Sequence, residues 1–207
     1  MNTDIIKVEI NEKYYNYNKG ITLLEISKDF SEYHTTPIVA AIVNNDIRDM
    51  SMPVMEDCSI SFFDLSTEVG FKVYQRSLIF IMLLAARELF PKGRVIVEHS
   101  LSKGLYCEFY LDYPLNAHDV QAVEARMQEI VEADLPIIKK TVPLEEAISL
   151  FEAIGENEKV RLMKQMNMKT ATIYYCANGY DYLYRTMVPS TGYLKTFELR
   201  YCEPGMI

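Results

Sequence analysis

Apolar and charged residues alternate strictly from Ile6 to Ile10, the period of a strand with one buried face. Asn11-Glu12 can reverse the chain into an aromatic-rich strand, Lys13 to Tyr17, so the pattern predicts a hairpin. After Gly20, Thr22 precedes Leu23, Leu24, Ile26 and Phe30 at helical spacing. Glu25 stands three residues after Thr22, which is the signature of a capping box. Pro37 to Val43 is a β-branched run suited to a strand buried on both faces. Asn44-Asn45-Asp46 then turns the chain, and Cys58 to Phe63 reads as a further strand.

The order β-β-α-β-β over the first 65 residues is that of a β-grasp. Ser66 to Gly70 is a short polar connection that places a boundary near residue 68, and Phe71 to Phe90 is an apolar-rich helix. Arg94 to His99 and Gly104 to Tyr110 form a second hairpin. With Ser102-Lys103 as its tip, the register sets Cys107 against Glu98 and His99 against Tyr106. Asn116 caps a helix to about Ala133 that carries Val120, Val123, Met127 and Ile130 on one face. Leu135 to Val142 is extended through Pro136, and helices follow at Leu144 to Ile154 and Glu156 to Met166, parted at Gly155. Strands over Thr172 to Ala177, Tyr180 to Tyr184 and Leu194 to Tyr201 complete an α+β chain of two domains, 1–67 and 68–207.

Composition narrows the chemistry. The 207 residues are 49% apolar, enough to bury a core or two, and 21 basic against 29 acidic side chains leave a net charge of -8. No global field draws a phosphate backbone, so nucleic-acid binding needs a local patch. Lys139-Lys140, Lys159, Arg161, Lys164 and Lys169 are the basic cluster worth testing. Tyr174, Tyr175, Tyr180, Tyr182 and Tyr184, close to Arg185, supply aromatic faces for stacking or for covering a sheet. The longest apolar run, Ser77 to Ala86, is about half the roughly 20 residues that span a bilayer, and the polar start is no signal peptide. The expected location is the cytoplasm, away from membranes. Cys58, Cys107, Cys176 and Cys202 are scattered and read as reduced thiols. His99 and Cys107, on facing hairpin arms, are read as a hydrogen-bonded His and a buried Cys against a new metal or nucleophile site. His34 and His118 are read as solvated or capping.

Asp181 to Gly192, D-Y-L-Y-R-T-M-V-P-S-T-G, resembles the threonyl-tRNA synthetase segment D-L-C-R-G-P-H-V-P-S-T-G, whose Cys and His bind zinc. Leu183 and Met187 fall at those two places. The same family carries H-S-x-x-H on a helix, two ligands one turn apart; here the run is Arg76-Ser77-Leu78-Ile79-Phe80. The resemblance, which covers residues 70 to 203, thus implies an editing-like domain with all four ligand positions lost, no metal and no catalytic residue. By analogy Arg76, Ser77, Tyr184, Arg185, Ser190 and Thr191 line a remodelled cleft for a nucleotide phosphate, a carboxylate effector or a tRNA end. In the alternative, Arg76 pairs with an acid such as Glu98 as structural glue, and Phe80 and Met187 fill the space a metal vacated.

Two further resemblances bear on function. G-I-T-L-L-E-I-S from Gly20 and P-I-V-A-A-I-V-N-N-D-I-R from Pro37 resemble the TGS domain, which implies a small ligand- or RNA-contacting module without catalytic groups. V-Y-Q-R-S-L-I-F-I at 73–81, E-H-S-L-S-K-G-L-Y-C-E-F at 98–109, D-L-P-I at 134–137 and V-P-S-T-G-Y-L at 188–194 look like the amino-terminal half of bacterial uridine kinase/phosphoribulokinase-like nucleoside kinases. No G-x-x-x-x-G-K-[ST] occurs, so ATP and Mg would belong to a kinase domain in cis beyond Glu203 to Ile207, and the chain would be a piece of a longer protein. The expectation is a non-catalytic regulatory or ligand-binding half of an ATP-dependent nucleoside kinase. The alternatives are a synthetase-derived RNA- or tRNA-binding accessory protein, and a metal-independent aminoacyl-tRNA deacylase, which would need a base the sequence does not offer.

Overall fold

The computed structural model describes residues 4–101, 104–183 and 185–202. Alternation produces β1 (Ile5–Ile10) and β2 (Lys13–Asn18), joined where Asn11 and Glu12 both take positive φ, the twist a two-residue hairpin turn requires. The capping box is present. Thr22 accepts from the Glu25 amide, and the Glu25 carboxylate returns to the Thr22 backbone at the head of α1 (Leu23–Lys28). Then come β3 (Ile38–Val43), β4 (Asp46–Arg48) and β5 (Cys58–Asp64). Asn44 and Asn45, again at positive φ, turn β3 back into β4, a short edge strand that lies where only a turn is expected from the pattern.

The five strands form one sheet in the order β2-β1-β5-β3-β4, with β1 and β5 parallel at its centre and the other pairs antiparallel. Val8, Ile10 and Ile60 of the sheet are buried in one cluster with Leu23 and Ile26 of α1 and Phe30 just after it. Val39, Ala40 and Ala41 are all buried, on alternating faces, because α2 (Glu68–Leu89) lies along β3 and β5. The β5–α2 corner is tightly built. The Thr67 hydroxyl donates to the Asp64 carbonyl at 2.7 Å and accepts from the Gly70 amide at 3.0 Å, and a Cβ on Gly70 would sit 2.0 Å from that carbonyl oxygen. By length and composition α2 could cross a membrane, but 56% of its apolar window is buried inside the protein, as for a core helix.

Next follow β6 (Arg94–Leu101) and β7 (Gly104–Tyr110), an antiparallel pair whose tip, Ser102-Lys103, lies outside the described residues. His99 does face Tyr106. Cys107, however, faces Val97 and not Glu98, since a bulge at Glu98 absorbs one residue. Helix α3 (Ala117–Glu132) starts at Asn116, whose side chain accepts from the His118 and Asp119 amides. After it come β8 (Ile138–Pro143), α4 (Leu144–Ala153), α5 (Asn157–Gln165), β9 (Thr170–Cys176) and β10 (Gly179–Asp181). Sheet β10-β9-β8 packs Val142, Ala171 and Ile173 against Ala147, Phe151, Val160 and Met163 of the two helices.

The chain divides into two compact units, one of residues 136–185 and one of everything before and after them. The expected boundary near 68 falls inside the larger unit, where α2 covers β3 and β5. No strand forms over Leu194 to Tyr201. Side chains of neighbouring helices take the place of a partner strand: the Tyr74 hydroxyl donates to the Thr196 carbonyl and accepts its amide at 2.9 and 2.8 Å, and Glu124 accepts the Leu199 amide at 3.2 Å. Likewise β10 stops at Asp181, whose carboxylate captures the Tyr182 amide at 2.6 Å.

Candidate functional site

Two of the four family ligand positions belong to the core of the larger unit: Phe80 on α2 is fully buried and Met187 nearly so. Arg76, one turn before Phe80, is half-buried and donates Nη1 to the Thr186 carbonyl at 2.6 Å. Leu183 is half-buried in the 136–185 unit. Among the described residues, no group of three or more His, Cys, Asp or Glu side chains is placed to hold a metal ion.

Of the expected cleft residues, Arg76 and Ser77 both engage the segment 186–188. The buried Ser77 hydroxyl donates to the Val73 carbonyl at 2.8 Å and accepts the Val188 amide at 3.0 Å. Ser190 and Thr191 turn instead to the end of α3. Thr191, fully buried, donates to the Ile130 carbonyl at 2.6 Å and accepts the Leu135 amide at 2.9 Å; Ser190 donates to Asp134 at 2.5 Å. The hydroxyls of Ser77 and Thr191 are therefore both occupied within the protein, each tying the end or side of a helix to a neighbouring segment. Tyr184 lies outside the described residues. Arg185 is exposed, in the 136–185 unit, at a φ of 79°.

Sequence reasoning missed Asp134, the hub of the S-T-G turn. It takes positive φ after α3 and accepts from Ser190 and from the Gly192 amide at 3.1 Å. A Cβ on Gly192 would come within 2.3 Å of its carboxylate, so a larger residue there has to displace the Asp134 side chain. Asp181, shared with the family motif, is also structural: wholly buried, it takes an ion pair from Lys159 at 2.7 Å. That withdraws Lys159 from the basic cluster, and Lys164 pairs with Glu152 at 2.7 Å. His34 is not merely solvated, because its Nδ1 lies 3.1 Å from the buried Asp64 carboxylate. Burial pulls Asp64 upward, but bonds from the Ser66 hydroxyl and amide and from His34 outweigh it and hold the carboxyl below its usual range. No local signal ties residue 34 to residue 64.

At the β6–β7 hairpin, His99 stacks near Tyr106 with ring centroids 5.4 Å apart, and the next residue, Cys107, takes the other face. Burial pushes the Cys107 thiol up to about 11, so it stays protonated and a poor nucleophile near neutrality. Two cavities, of about 270 and 650 Å³, open between α2, β7 and residues 196–202, lined by Leu78, Met82, Leu105 and Leu199 among others; neither touches Arg76, Ser190 or Thr191.

No family model matches the chain. It is similar to the threonine–tRNA ligase of Symbiobacterium thermophilum, 32% identical over 184 residues, 88% of this chain and 28% of the relative. The ligase of Carboxydothermus hydrogenoformans is 30% identical over 190 residues, 91% and 30% of the two chains, and that of Acetivibrio thermocellus 28% over 184 residues, 88% and 29%. The chain thus spans less than a third of the length of these curated relatives. They carry the synthetase side of the resemblance and lend no support to a kinase parent. With them, the observed elements form an α+β chain in which a TGS-like β-grasp precedes a synthetase editing-like region.

Proposed function

We propose that this chain is a synthetase-derived module that binds RNA, a tRNA end in particular, without metal-dependent hydrolysis. In this reading residues 1–67 are the TGS-like part and 68–207 the degenerate editing-like part, in a cytoplasmic protein. The observation that carries it is the fate of the ligand positions. Phe80 and Met187 have become core and Arg76 a tether to Thr186, whereas the hydroxyls of Ser77, Ser190 and Thr191 still fasten the surrounding backbone. A scaffold kept while its chemistry is filled in suits recognition better than turnover. The relatives, ligases of tRNA by name, supply the class of partner.

Fluorescence anisotropy with labelled tRNA, run beside hydrolysis of an aminoacyl-tRNA with and without added Zn²⁺, tests both halves. Salt-sensitive binding with no metal-stimulated hydrolysis is expected; hydrolysis that rises with zinc would refute the metal-free reading. The nucleoside-kinase reading rests on the motifs at 73–81, 98–109, 134–137 and 188–194 alone. In it the module serves a kinase domain in cis, which would bring ATP and Mg, or takes a small nucleotide effector. ATP-dependent phosphorylation of uridine by the full gene product would favour it.

A further inference from the structure

The two cavities between α2, β7 and residues 196–202 adjoin, because Met82, Leu105, Cys107 and Leu199 line both, and every residue around them belongs to the larger unit. They open on a different face of α2 from the family ligand positions. Gln75, Ile79 and Met82 recur at helical spacing on the cavity side, whereas Arg76 and Phe80 follow another stripe.

The lining is an unfinished core. Leu78, Ile79, Leu105, Phe197 and Leu199 surround the inner cavity, of about 270 Å³, yet all five are only half-buried. Folded interiors keep few voids larger than a water molecule, and side chains that face a larger one forgo dispersion contacts that an apolar guest restores. The gap persists because residues 194–201, which alternate like a strand, are held to Tyr74 and Glu124 and border the space without closing it.

Polar groups in the lining choose the guest. Among the described residues its charged side chains are Glu198 and Arg200, which neutralise each other through two parallel bonds of 3.0 and 2.8 Å. An ionic guest would therefore lose its hydration without gaining a counter-charge. The Tyr74 hydroxyl is already occupied at Thr196. Gln75 differs. It is half-buried on the wall of the inner cavity, and among the described residues its amide makes no hydrogen bond, so a donor and an acceptor stand side by side at the edge of an apolar space.

We infer that this pair of cavities is a binding site for a neutral small molecule whose apolar body lies among Leu78, Ile79, Leu105 and Leu199 and whose amide-like edge pairs with Gln75. An apolar enclosure with one or two orienting polar groups is the usual build of a small-molecule site, and the outer cavity, of about 650 Å³, leaves room for a longer ligand. The site is separate from the RNA-binding reading and does not rest on it.

Titration of the full chain with cinnamamide, a planar apolar body ending in a primary amide, tests the site by NMR of carbon-13-labelled methionine methyls. Met82 and Met127 line the inner cavity, whereas Met50 lies in the β-grasp core and Met163 in the core of the 136–185 unit. Saturable shifts are expected at Met82 and Met127 and not at Met50 or Met163, with a Kd of about 1 mM for so small a probe. Cinnamate, the same body with a carboxylate, should bind at least about 10-fold more weakly. Gln75→Leu should weaken cinnamamide about 5- to 10-fold while its unfolding midpoint stays within about 2 °C of the wild type. No saturable shift at Met82 and Met127, or equal shifts at all four methionines, would overturn the site. Cinnamate binding as tightly as cinnamamide would overturn the neutral class, and undiminished affinity in Gln75→Leu would overturn the pairing with Gln75.

Discussion

Thr191 shows how a motif can be read correctly and its purpose missed. V-P-S-T-G is visible in the chain, and by analogy its hydroxyls belong to a cleft, yet Thr191 is wholly buried and spends its oxygen on the Ile130 carbonyl and the Leu135 amide. Which partners a hydroxyl meets depends on groups about sixty positions away, and no local pattern records them. Thr191→Val keeps the shape and strands both backbone groups, which predicts a loss of about 1–3 kcal/mol in urea unfolding. Gly192→Ala should also destabilise, because its Cβ would strike the Asp134 carboxylate. Combined with Asp134→Ala, which removes that obstacle, its cost should shrink well below the sum of the single changes, and strict additivity would show that the close approach is not what constrains residue 192.

At the scale of elements, the parts governed by local rules were legible: the β1–β2 hairpin, the Thr22–Glu25 box, the Asn116 cap and the long helices. The misreadings lie where partners are distant or the signal is short. Strand β4 has three residues and exists because the Asn44-Asn45 turn returns the chain along β3; residues 194–201 alternate like a strand but find Tyr74 and Glu124 instead of a neighbour. The β5–α2 corner also depends on a distant partner, His34, and it predicts a pH dependence. Asp64 has a folded-state value below its unfolded one, so its contribution is complete above the unfolded value, about 3.9, and is lost as pH falls through the lower folded value. Urea midpoints between pH 2 and 5 should fall more steeply for the wild type than for Asp64→Asn, which has no charge to lose. Equal slopes would mean that His34 and Ser66 do not hold the carboxylate in its charged form.

The molecule as a whole is a larger unit with a smaller one set into its chain. Residues 136–185 carry their own sheet, two helices and a core around Phe151, Met163 and Ile173, and they leave and rejoin the larger unit at single points. On the larger unit's side these points are tied together, since Leu135 exchanges bonds with Thr191, its amide to the hydroxyl and its carbonyl to the Thr191 amide, both at 2.9 Å. Nothing in that tie uses a residue of the inserted segment. Replacing residues 136–185 by a short Gly-Ser linker should therefore leave a protein that unfolds in one cooperative step, with its α2 and β-grasp signals in circular dichroism intact. The same deletion removes the near-neutral part of the chain, leaving a strongly acidic remainder that repels a phosphate backbone. Binding of tRNA should fall to background while the fold persists. If the shortened chain folds and still binds with the wild-type salt slope, the RNA surface belongs to the larger unit; if it fails to fold, the tie between Leu135 and Thr191 is not sufficient to close the gap.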